Sequence, residues 1–326
     1  LIVNLETSQG YLSNSIIEVQ VGTPSVNDPV GPDSYGYYFY DNEDIDYLLA
    51  PTYEWVEIDD RLDGPGDHLE ALTDNGNNQD DVETIPLPFN FTFYGKGYDE
   101  ISISSNGWIA MGRTDLESFR NYKMPGFGGP AKMIAVFWDD LKLSNGGRVY
   151  TWYDDANKKF YIEWSEVRTY QTNDIETFQA VLYDPNYYTT PTGDGEILLQ
   201  YKKFNNTTFG QYGWSQVHGA YCTIGIEDHT MLRGLQYTFN DTYHPAAMEL
   251  DDETAILITT RGSDLRLDGD LNYDQTVDIY DLLLLVDFHL GYEGQVNPYF
   301  GDINGDGMVN VMDLIKLIQT IMDYGQ

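Results

Sequence analysis

The chain has 326 residues, of which 53 are Asp or Glu and 17 are Lys or Arg, so its formal net charge is −36. Such an acidic surface repels nucleic acid and anionic lipid but attracts cations, among which Ca²⁺ is bound by carboxylate and carbonyl oxygens. Aromatic residues make up 14% of the sequence, which excludes a disordered acidic chain. The single cysteine, Cys222, excludes an intrachain disulfide and a cysteine-based metal cluster.

The sequence also bears on the compartment. Its longest aliphatic run, residues 282–286, is far too short to cross a membrane, so membrane insertion is not expected. The chain begins at Leu1 rather than Met, and we interpret it as a processed mature product. Together with the acidity and the near absence of Cys, this favours an extracellular or cell-surface protein of bacterial or archaeal origin, stabilised by calcium instead of disulfides.

Residues 1–22 contain two β-prone runs, residues 1–5 and 16–21, and a Pro- and Gly-rich stretch over residues 23–33 predicts a linker after them. A lone two-stranded hairpin is marginal in water, so its apolar side chains must be buried elsewhere. They could fold back onto the following domain, be the remnant of an upstream domain removed by processing, or add to the sheet edge of a second copy. The third alternative predicts head-to-tail filaments. The side chains that would make this contact are Leu1, Val3, Leu5, Ile17 and Val19.

Residues 34–262 are a series of short β-prone segments separated by Asn-, Asp- and Gly-rich turns. Several runs, such as residues 89–94 and 101–104, alternate apolar and polar residues as half-buried antiparallel strands do. The pattern predicts a mainly β domain, an antiparallel and jelly-roll-like β-sandwich. Helical spacing of apolar residues first appears over residues 281–290 and 311–322, which predicts a separate small α-helical domain over residues 263–326.

Two segments of this C-terminal domain, residues 270–281 and 302–313, align at a 32-residue offset. Each places oxygen-bearing side chains at loop positions 1, 3, 5, 9 and 12, while position 7 offers its backbone carbonyl. The predicted ligands are Asp270, Asn272, Asp274, Thr276, Asp278 and Asp281 in the first loop and Asp302, Asn304, Asp306, Met308, Asn310 and Asp313 in the second. We therefore predict two Ca²⁺ ions and calcium-coupled folding of this domain. The alternative is a pair of Asx-rich turns that cap helices without metal.

This paired loop–helix repeat resembles a dockerin, on Gly-Asp-Leu-Asn at residues 269–272 and Gly-Asp-Ile-Asn-Gly-Asp-Gly at residues 301–307. The resemblance implies a Ca²⁺-binding module that docks onto a cohesin domain and attaches its protein to an extracellular assembly. It also implies that loop positions 10 and 11 help to choose the partner. Here these positions are apolar: Ile279, Tyr280, Val311 and Met312. The partner is then a cohesin-like domain, or these side chains pack on the chain's own β domain.

The β domain carries further strings in a familiar order, among them Ser-Ser-Asn-Gly-Trp-Ile-Ala-Met-Gly at 104–112 and Ile-Ala-Val-Phe-Trp-Asp-Asp-Leu at 134–141. Together they resemble a β module appended to secreted bacterial peptidases and surface proteins, and also the extracellular NIDO domain. The resemblance implies a non-catalytic module. The sequence itself contains no GxSxG motif, and Cys222 lies in an apolar strand pattern typical of a buried thiol.

Other candidate sites of the β domain rest on shorter signals. Asp41, Asp44, Asp139 and Asp140 are candidate ligands of a third Ca²⁺, although Asp139 is alternatively a glycosidase carboxylate. Four sites fit the N-glycosylation pattern: Asn90, Asn205, Asn206 and Asn240.

The sequence thus predicts a secreted, non-enzymatic, calcium-binding structural or adhesive protein, with a finer role as the subunit of an extracellular filament or surface assembly. The alternative is an accessory or carbohydrate-binding module processed from a larger secreted peptidase and anchored through a dockerin–cohesin contact. The expected partners are a second copy of the chain or a cohesin-like domain, with glycans as a further ligand class.

Overall fold

A computed structural model gives the fold, and it describes residues 2–6, 12–16, 23–76, 79–207, 221–262, 269–272, 276–291, 301–304 and 308–324. The strands are β1 (Ile2–Glu6), β2 (Leu12–Ile16), β3 (Tyr38–Asp41), β4 (Asp67–His68), β5 (Val82–Phe93), β6 (Lys96–Ser104), β7 (Trp108–Met111), β8 (Met133–Trp138), β9 (Leu141–Lys142), β10 (Arg148–Asp154), β11 (Lys159–Thr169), β12 (Ile175–Tyr183), β13 (Ile197–Lys203), β14 (Thr223–Glu227), β15 (Gly234–Phe239), β16 (Thr242–Tyr243) and β17 (Thr254–Thr259). The helices are α1 (Ile279–Leu290) and α2 (Val311–Tyr324), and short 3-10 turns cover Asp60–Leu62 and Ser144–Gly146.

Two antiparallel sheets make up the large domain. Sheet I has the strand order β3–β17–β13–β12–β11–β10–β4, with β9 beside β11, and sheet II has the order β16–β15–β14–β8–β7–β6–β5. Consecutive strands are neighbours in β10–β13 and in β5–β8. Short turns join β5 to β6, β6 to β7 and β10 to β11, whereas residues 112–132 and 184–196 form longer connections before β8 and β13. The mainly β fold and the antiparallel sandwich predicted from the sequence are confirmed.

The turn between β6 and β7 requires glycine at one position. Gly107, between β6 and β7, has a φ of 72°, which favours glycine. A Cβ atom there would lie 2.0 Å from the backbone oxygen of Phe137. The turn can therefore lie against strand β8 only with glycine at this position.

The main core lies between the sheets and is built largely from aromatic side chains. Trp164 on β11 stacks on Phe178 of β12 with ring centroids 5.1 Å apart, and Phe137 of sheet II stacks on the same Phe178 at 5.3 Å. The indole nitrogen of Trp164 donates a 2.8 Å hydrogen bond to the backbone oxygen of Ser104 on β6. This buried aromatic cluster, with its one polar atom satisfied, joins the two sheets.

Connecting segments cover the outer faces of both sheets. On sheet II, the indole nitrogens of Trp108 and Trp138 donate to the backbone oxygen of Ser118, which fixes the connection between β7 and β8 over these buried rings. On sheet I, residues 48–66 run over the strands, with Ile58 fully buried in a cluster that includes Tyr161. Both outer faces therefore carry small apolar cores of their own.

The predicted linker, residues 23–33, takes part in the sandwich. Val30 is fully buried in the main core. Its backbone N–H and C=O each form a 2.9 Å hydrogen bond with Phe39 of β3. The sandwich therefore extends into the predicted linker, because an apolar residue there finds both a strand partner and the core.

Strands β1 and β2 form a two-stranded antiparallel sheet in which Ile2 lies opposite Ile16. The first predicted run coincides with β1. The second strand begins at Leu12, before the predicted run over residues 16–21, and of that run only Ile16 lies within the described residues. Leu1, Ile17 and Val19 lie outside them.

The C-terminal helices pack on each other through an apolar core. Leu271, Leu285 and Leu317 are buried there, and Val277 and Val309 pack against them. Leu285 and Leu317 are related by the same 32-residue offset as the loops, so the two loop–helix units contribute equivalent side chains. Both predicted helices are confirmed. Among the described residues no helix is both long enough and apolar enough to cross a membrane.

Candidate calcium loops and docking surface

The first loop ends in a closely bonded helix start. Asp278 is the N-cap of α1 and accepts a 2.7 Å hydrogen bond from the N–H of Tyr280. Three residues later, Asp281 accepts the N–H of Asp278 at 2.8 Å, which completes a capping box. The same carboxylate accepts the N–H groups of Leu271 and Asn272 at 2.7 and 3.0 Å. The last residue of the loop is therefore tied back to its beginning.

The second loop repeats this arrangement. Asn310 accepts the N–H of Met312 at 2.9 Å, and Asp313 accepts the N–H of Asn310 at 2.7 Å. Asp313 also accepts the N–H of Asn304 at 3.1 Å. The in-register spacing of the two segments in the sequence thus corresponds to the same local structure.

The two closing carboxylates have no exposed surface, since Asp281 and Asp313 are both 0% accessible. A carboxylate offers about four lone-pair sites, so two or three N–H contacts leave capacity for a cation. Residues 269–326 contain ten Asp or Glu residues and only one Lys or Arg, Lys316. Buried carboxylates in so acidic a domain need a counter-charge, and a divalent cation fits this oxygen-rich donor set.

The structure describes most, but not all, of the predicted ligands. Asp274 and Asp306, at position 5 of each loop, lie outside the described residues. Among the residues that are described, no group of three or more His, Cys, Asp or Glu side chains is placed to hold a metal ion. The complete ligand sets therefore stay a prediction, supported by the repeated closing geometry and the donor chemistry.

Both helices present apolar side chains to solvent. The pairs at loop positions 10 and 11 are more than half exposed: Ile279 53%, Tyr280 63%, Val311 60% and Met312 53%. Further along the helices, the equivalent pairs Leu283/Ile315 and Leu290/Met322 are also exposed. We call these eight side chains the paired apolar face. Their exposure does not support the alternative that they pack on the chain's own β domain, and apolar surface grouped in this way is typical of an interaction site.

The acidic candidates of the β domain have structural partners. Asp41 is buried and accepts the hydroxyl of Tyr237 at 2.6 Å and the N–H of Met248 at 3.1 Å. Asp44 is fully buried and accepts the N–H of Asp41 at 2.8 Å. Burial, followed by the charge of Asp41, raises the pKa of Asp44 from 3.8 to about 8, which favours the protonated form of this carboxyl group.

The second acidic pair lies after β8. Asp139 is buried and accepts the N–H of Asp140 at 2.8 Å. Asp140 lines a cavity of about 30 Å³ together with Asp74 and Asp80, and burial raises the pKa of Asp140 to about 7. Neither this pair nor Asp41 and Asp44 belongs to a metal-holding group among the described residues, so the third Ca²⁺ stays a prediction.

The glycosylation candidates differ in exposure. Asn90 and Asn205 are at the surface, whereas Asn206 is buried and accepts the N–H of Cys222 at 2.9 Å. Asn240 is half-buried in the turn before β16. Asn206 is thus unsuited to carry a glycan, because its amide already serves a buried hydrogen bond.

Sequence reasoning missed a set of buried carboxyl groups in the strands. Burial raises the pKa of Glu163 and of Glu176 to about 8, and that of Glu227 to about 7. Glu163 lies opposite Gln179 across β11 and β12. A signal was available, since an acidic residue inside the apolar run Phe-Tyr-Ile-Glu-Trp is unusual for a strand that packs on both faces.

Two family models match the chain. The model described as NIDO related matches residues 65–263, which is more than half of the sequence. The chain belongs to the NIDO-related family. A second model, the dockerin type I domain, matches residues 268–322. No curated protein and no solved structure matches the chain.

Both resemblances drawn from sequence motifs are thereby confirmed. The NIDO-related and dockerin domains are non-catalytic modules. The dockerin domain indicates a calcium-binding and cohesin-binding module, of a kind typically found in extracellular or cell-surface proteins. Its match spans both loops, and the predicted loop ligands, among them Asp281 and Asp313 that close each loop, stay the prediction for the residues that would hold Ca²⁺.

Proposed function

We propose that this protein is a secreted, non-catalytic subunit of an extracellular or cell-surface assembly, in which the dockerin domain attaches the NIDO-related sandwich to a cohesin-like domain. The observation that carries this proposal is the paired apolar face. Its side chains recur at the 32-residue offset, so both loop–helix units offer a similar surface.

The chemistry of this face indicates the kind of partner. Tyr280 and Met312 are large and exposed, and large apolar or aromatic side chains supply most of the binding energy at protein interfaces. The partner should therefore present a complementary apolar patch. Because Ca²⁺ holds the two loops from which α1 and α2 begin, removing the ion should abolish docking.

The test uses the full chain and a set of purified cohesin domains, including type I cohesins, with binding measured by isothermal titration calorimetry in Ca²⁺ and in EDTA. Because both units present an equivalent surface, the variant must carry a charge in each, and we choose Tyr280→Asp combined with Met312→Asp. We expect binding in Ca²⁺ that is lost in EDTA and weakened about 100-fold or more in the double variant, as for loss of an interface hot spot.

The matched control is Phe127→Asp, which places the same charge on an exposed aromatic residue of the sandwich, 77% accessible. It should bind like the unmodified chain. Helical circular dichroism in Ca²⁺ must show that the double variant is folded. A folded double variant that binds with unchanged affinity, or a chain that binds none of the cohesins, would contradict the proposal.

A finer proposal concerns self-association through the N-terminal strands. Within the described residues β1 and β2 pair only with each other, and an isolated two-stranded sheet is marginal in water. Addition of these strands to the sheet edge of a second copy would bury them and would build head-to-tail filaments. Deleting residues 1–21 should abolish assembly seen by analytical ultracentrifugation at high concentration in Ca²⁺. A truncated chain that assembles equally well, or a full chain that stays monomeric, would exclude this mode.

A further inference from the structure

The outer face of sheet I contains an open cleft of about 280 Å³, just below the roughly 300–1,000 Å³ of typical small-molecule sites. Strand register places its floor in one row across four strands. Tyr161 lies opposite Val181, Val181 opposite Leu198, and Leu198 opposite Leu257. The floor is therefore one tyrosine ring and three aliphatic side chains, set in the middle of the sheet.

One wall of the cleft is held in place by hydrogen bonds. The adjacent row of the sheet, two residues further along each strand, carries Gln179 and Gln200. Gln179 donates to the backbone oxygen of Val56 at 2.6 Å, and Gln200 accepts the N–H of Glu54 at 2.8 Å. Residues 54–56 are thus fixed over this second row. In the first row beside them Leu198 is half-buried, while Tyr161, Val181 and Leu257 keep only small exposed fractions at the base of the cleft.

The opposite end carries a lysine in an unusual position. Lys159 lines the cleft, and its ammonium lies 4.3 Å from the ring centre of Tyr183 and 5.7 Å from that of Tyr188. None of the ion pairs among the described residues involves Lys159, although the chain has three times as many acidic as basic residues. Its ammonium therefore lies beside aromatic rings at the cleft and forms no ion pair with a carboxylate among the described residues.

Acceptors and further donors complete the rim. The carboxylate of Glu196, buried at the cleft, pairs with the guanidinium of Arg261 at 2.8 Å, and the exposed Glu54 adds a second carboxylate. This mixture of opposite charges disfavours a ligand with a single charge. A peptide that adds as a strand needs free backbone groups at a sheet edge, and the floor lies on central strands whose backbones are already paired.

We infer that this cleft binds a neutral saccharide, of about one or two sugar units. A sugar ring has a C–H face that matches the half-buried Leu198 and the apolar base of the cleft around it, and hydroxyl groups that both donate and accept. Lys159 and Arg261 would donate to these hydroxyls, while Glu54 would accept from them. The inference rests on the sandwich alone and is independent of the dockerin contact.

The test measures binding of cellobiose, maltose, lactose, xylobiose and N,N′-diacetylchitobiose to the full chain, by saturation-transfer difference NMR followed by calorimetry. Trialanine serves as a zwitterionic probe. Two variants address the cleft: Lys159→Met removes the donor but keeps the apolar stem, and Leu198→Trp fills the floor. We expect at least one saccharide to bind and each variant to weaken it about ten-fold or more.

The matched control is Lys158→Met, since Lys158 pairs with Asp155 outside the cleft lining and should leave binding unchanged. Thermal unfolding followed by tryptophan emission shows whether each variant is folded. If Lys159→Met does not fold, binding to Leu198→Trp decides the test. The inference is overturned if no saccharide binds, if trialanine binds in their place, or if a folded cleft variant binds as tightly as the control.

Discussion

The substitution Glu163→Gln tests how far buried carboxyl groups set the pH dependence of the NIDO-related sandwich. Glu163 is fully buried in β11, and its Oε2 accepts the side-chain amide of Gln179 at 2.7 Å and the N–H of Ile58 at 3.3 Å. Its Oε1 is buried with no donor among the described residues. Desolvation of the carboxylate, followed by the charge of Glu57, raises the pKa of Glu163 from 4.5 to about 8.

The sign follows from the direction of this shift. Between about pH 4.5 and pH 8 the folded protein holds a proton that the unfolded chain has released. The stabilising contribution of Glu163 is therefore complete below the unfolded pKa and is lost as the pH rises through about 8. Each pH unit in this window lowers the free energy of unfolding by about 1.4 kcal/mol, or roughly 5 kcal/mol in all. Glutamine keeps the shape and an acceptor oxygen but does not titrate, so Glu163→Gln should lose this part of the slope.

The assay is urea unfolding from about pH 5 to about pH 9 in millimolar Ca²⁺, followed by tryptophan emission. All six tryptophans precede residue 263, so the signal reports the sandwich and not the dockerin domain. The matched control is Glu117→Gln on an exposed connection, which should keep the slope of the unmodified protein. If Glu163→Gln unfolds with the same pH slope as Glu117→Gln, the reasoning is refuted.

The remaining predictions concern the dockerin domain. Chelation by EDTA should remove the helical circular dichroism and leave tryptophan emission unchanged, because the loop carboxylates then repel one another; a helical signal that survives would count against this. Asp302→Ala should raise the calcium concentration needed for helix formation, whereas Asp115→Ala on the sandwich should not. Acid should release the ion, since its ligands must be deprotonated, so this domain weakens as the pH falls, whereas the contribution of Glu163 to the stability of the sandwich grows from about pH 8 down to about pH 4.5. In urea denaturation with Ca²⁺ present, Leu285→Ala should lower the free energy of unfolding of this domain by about 2–5 kcal/mol, because it empties a buried position. Leu283→Ala, on the exposed face, should lower it by only about 0.5 kcal/mol or less. Equal losses in the two variants would contradict the observed core.

The dockerin domain was predictable from sequence because its information is local. Each loop is defined by oxygen-bearing side chains at fixed positions within twelve consecutive residues. The helix that follows it directly is marked by apolar residues that recur with a period of 3.6. Asp278 and Asp281 show the reason in detail, since their capping bonds join residues only two or three positions apart. The 32-residue repeat then implies two equivalent units, and the structure adds their shared core.

The class of the large domain was predictable as well, because alternation with period two marks strands facing a core on one side. Strand order and register are not local, however. The burial of Val30 results from its backbone pairing with Phe39, and the Pro- and Gly-rich composition of this segment does not predict that pairing. Likewise the buried state of Glu163 depends on residues 48–66 crossing over the sheet, about 100 positions earlier in the chain.

The saccharide cleft belongs wholly to the tertiary structure. Tyr161, Val181, Leu198 and Leu257 come from strands spread over almost 100 residues, and only the register of four strands places them in one row. A shift of one residue in any pairing would send that side chain into the core between the sheets, because successive side chains of a strand point to opposite faces. The sequence by itself determines most of the strands, turns and helices through local patterns, while the sheet register decides which of their side chains meet.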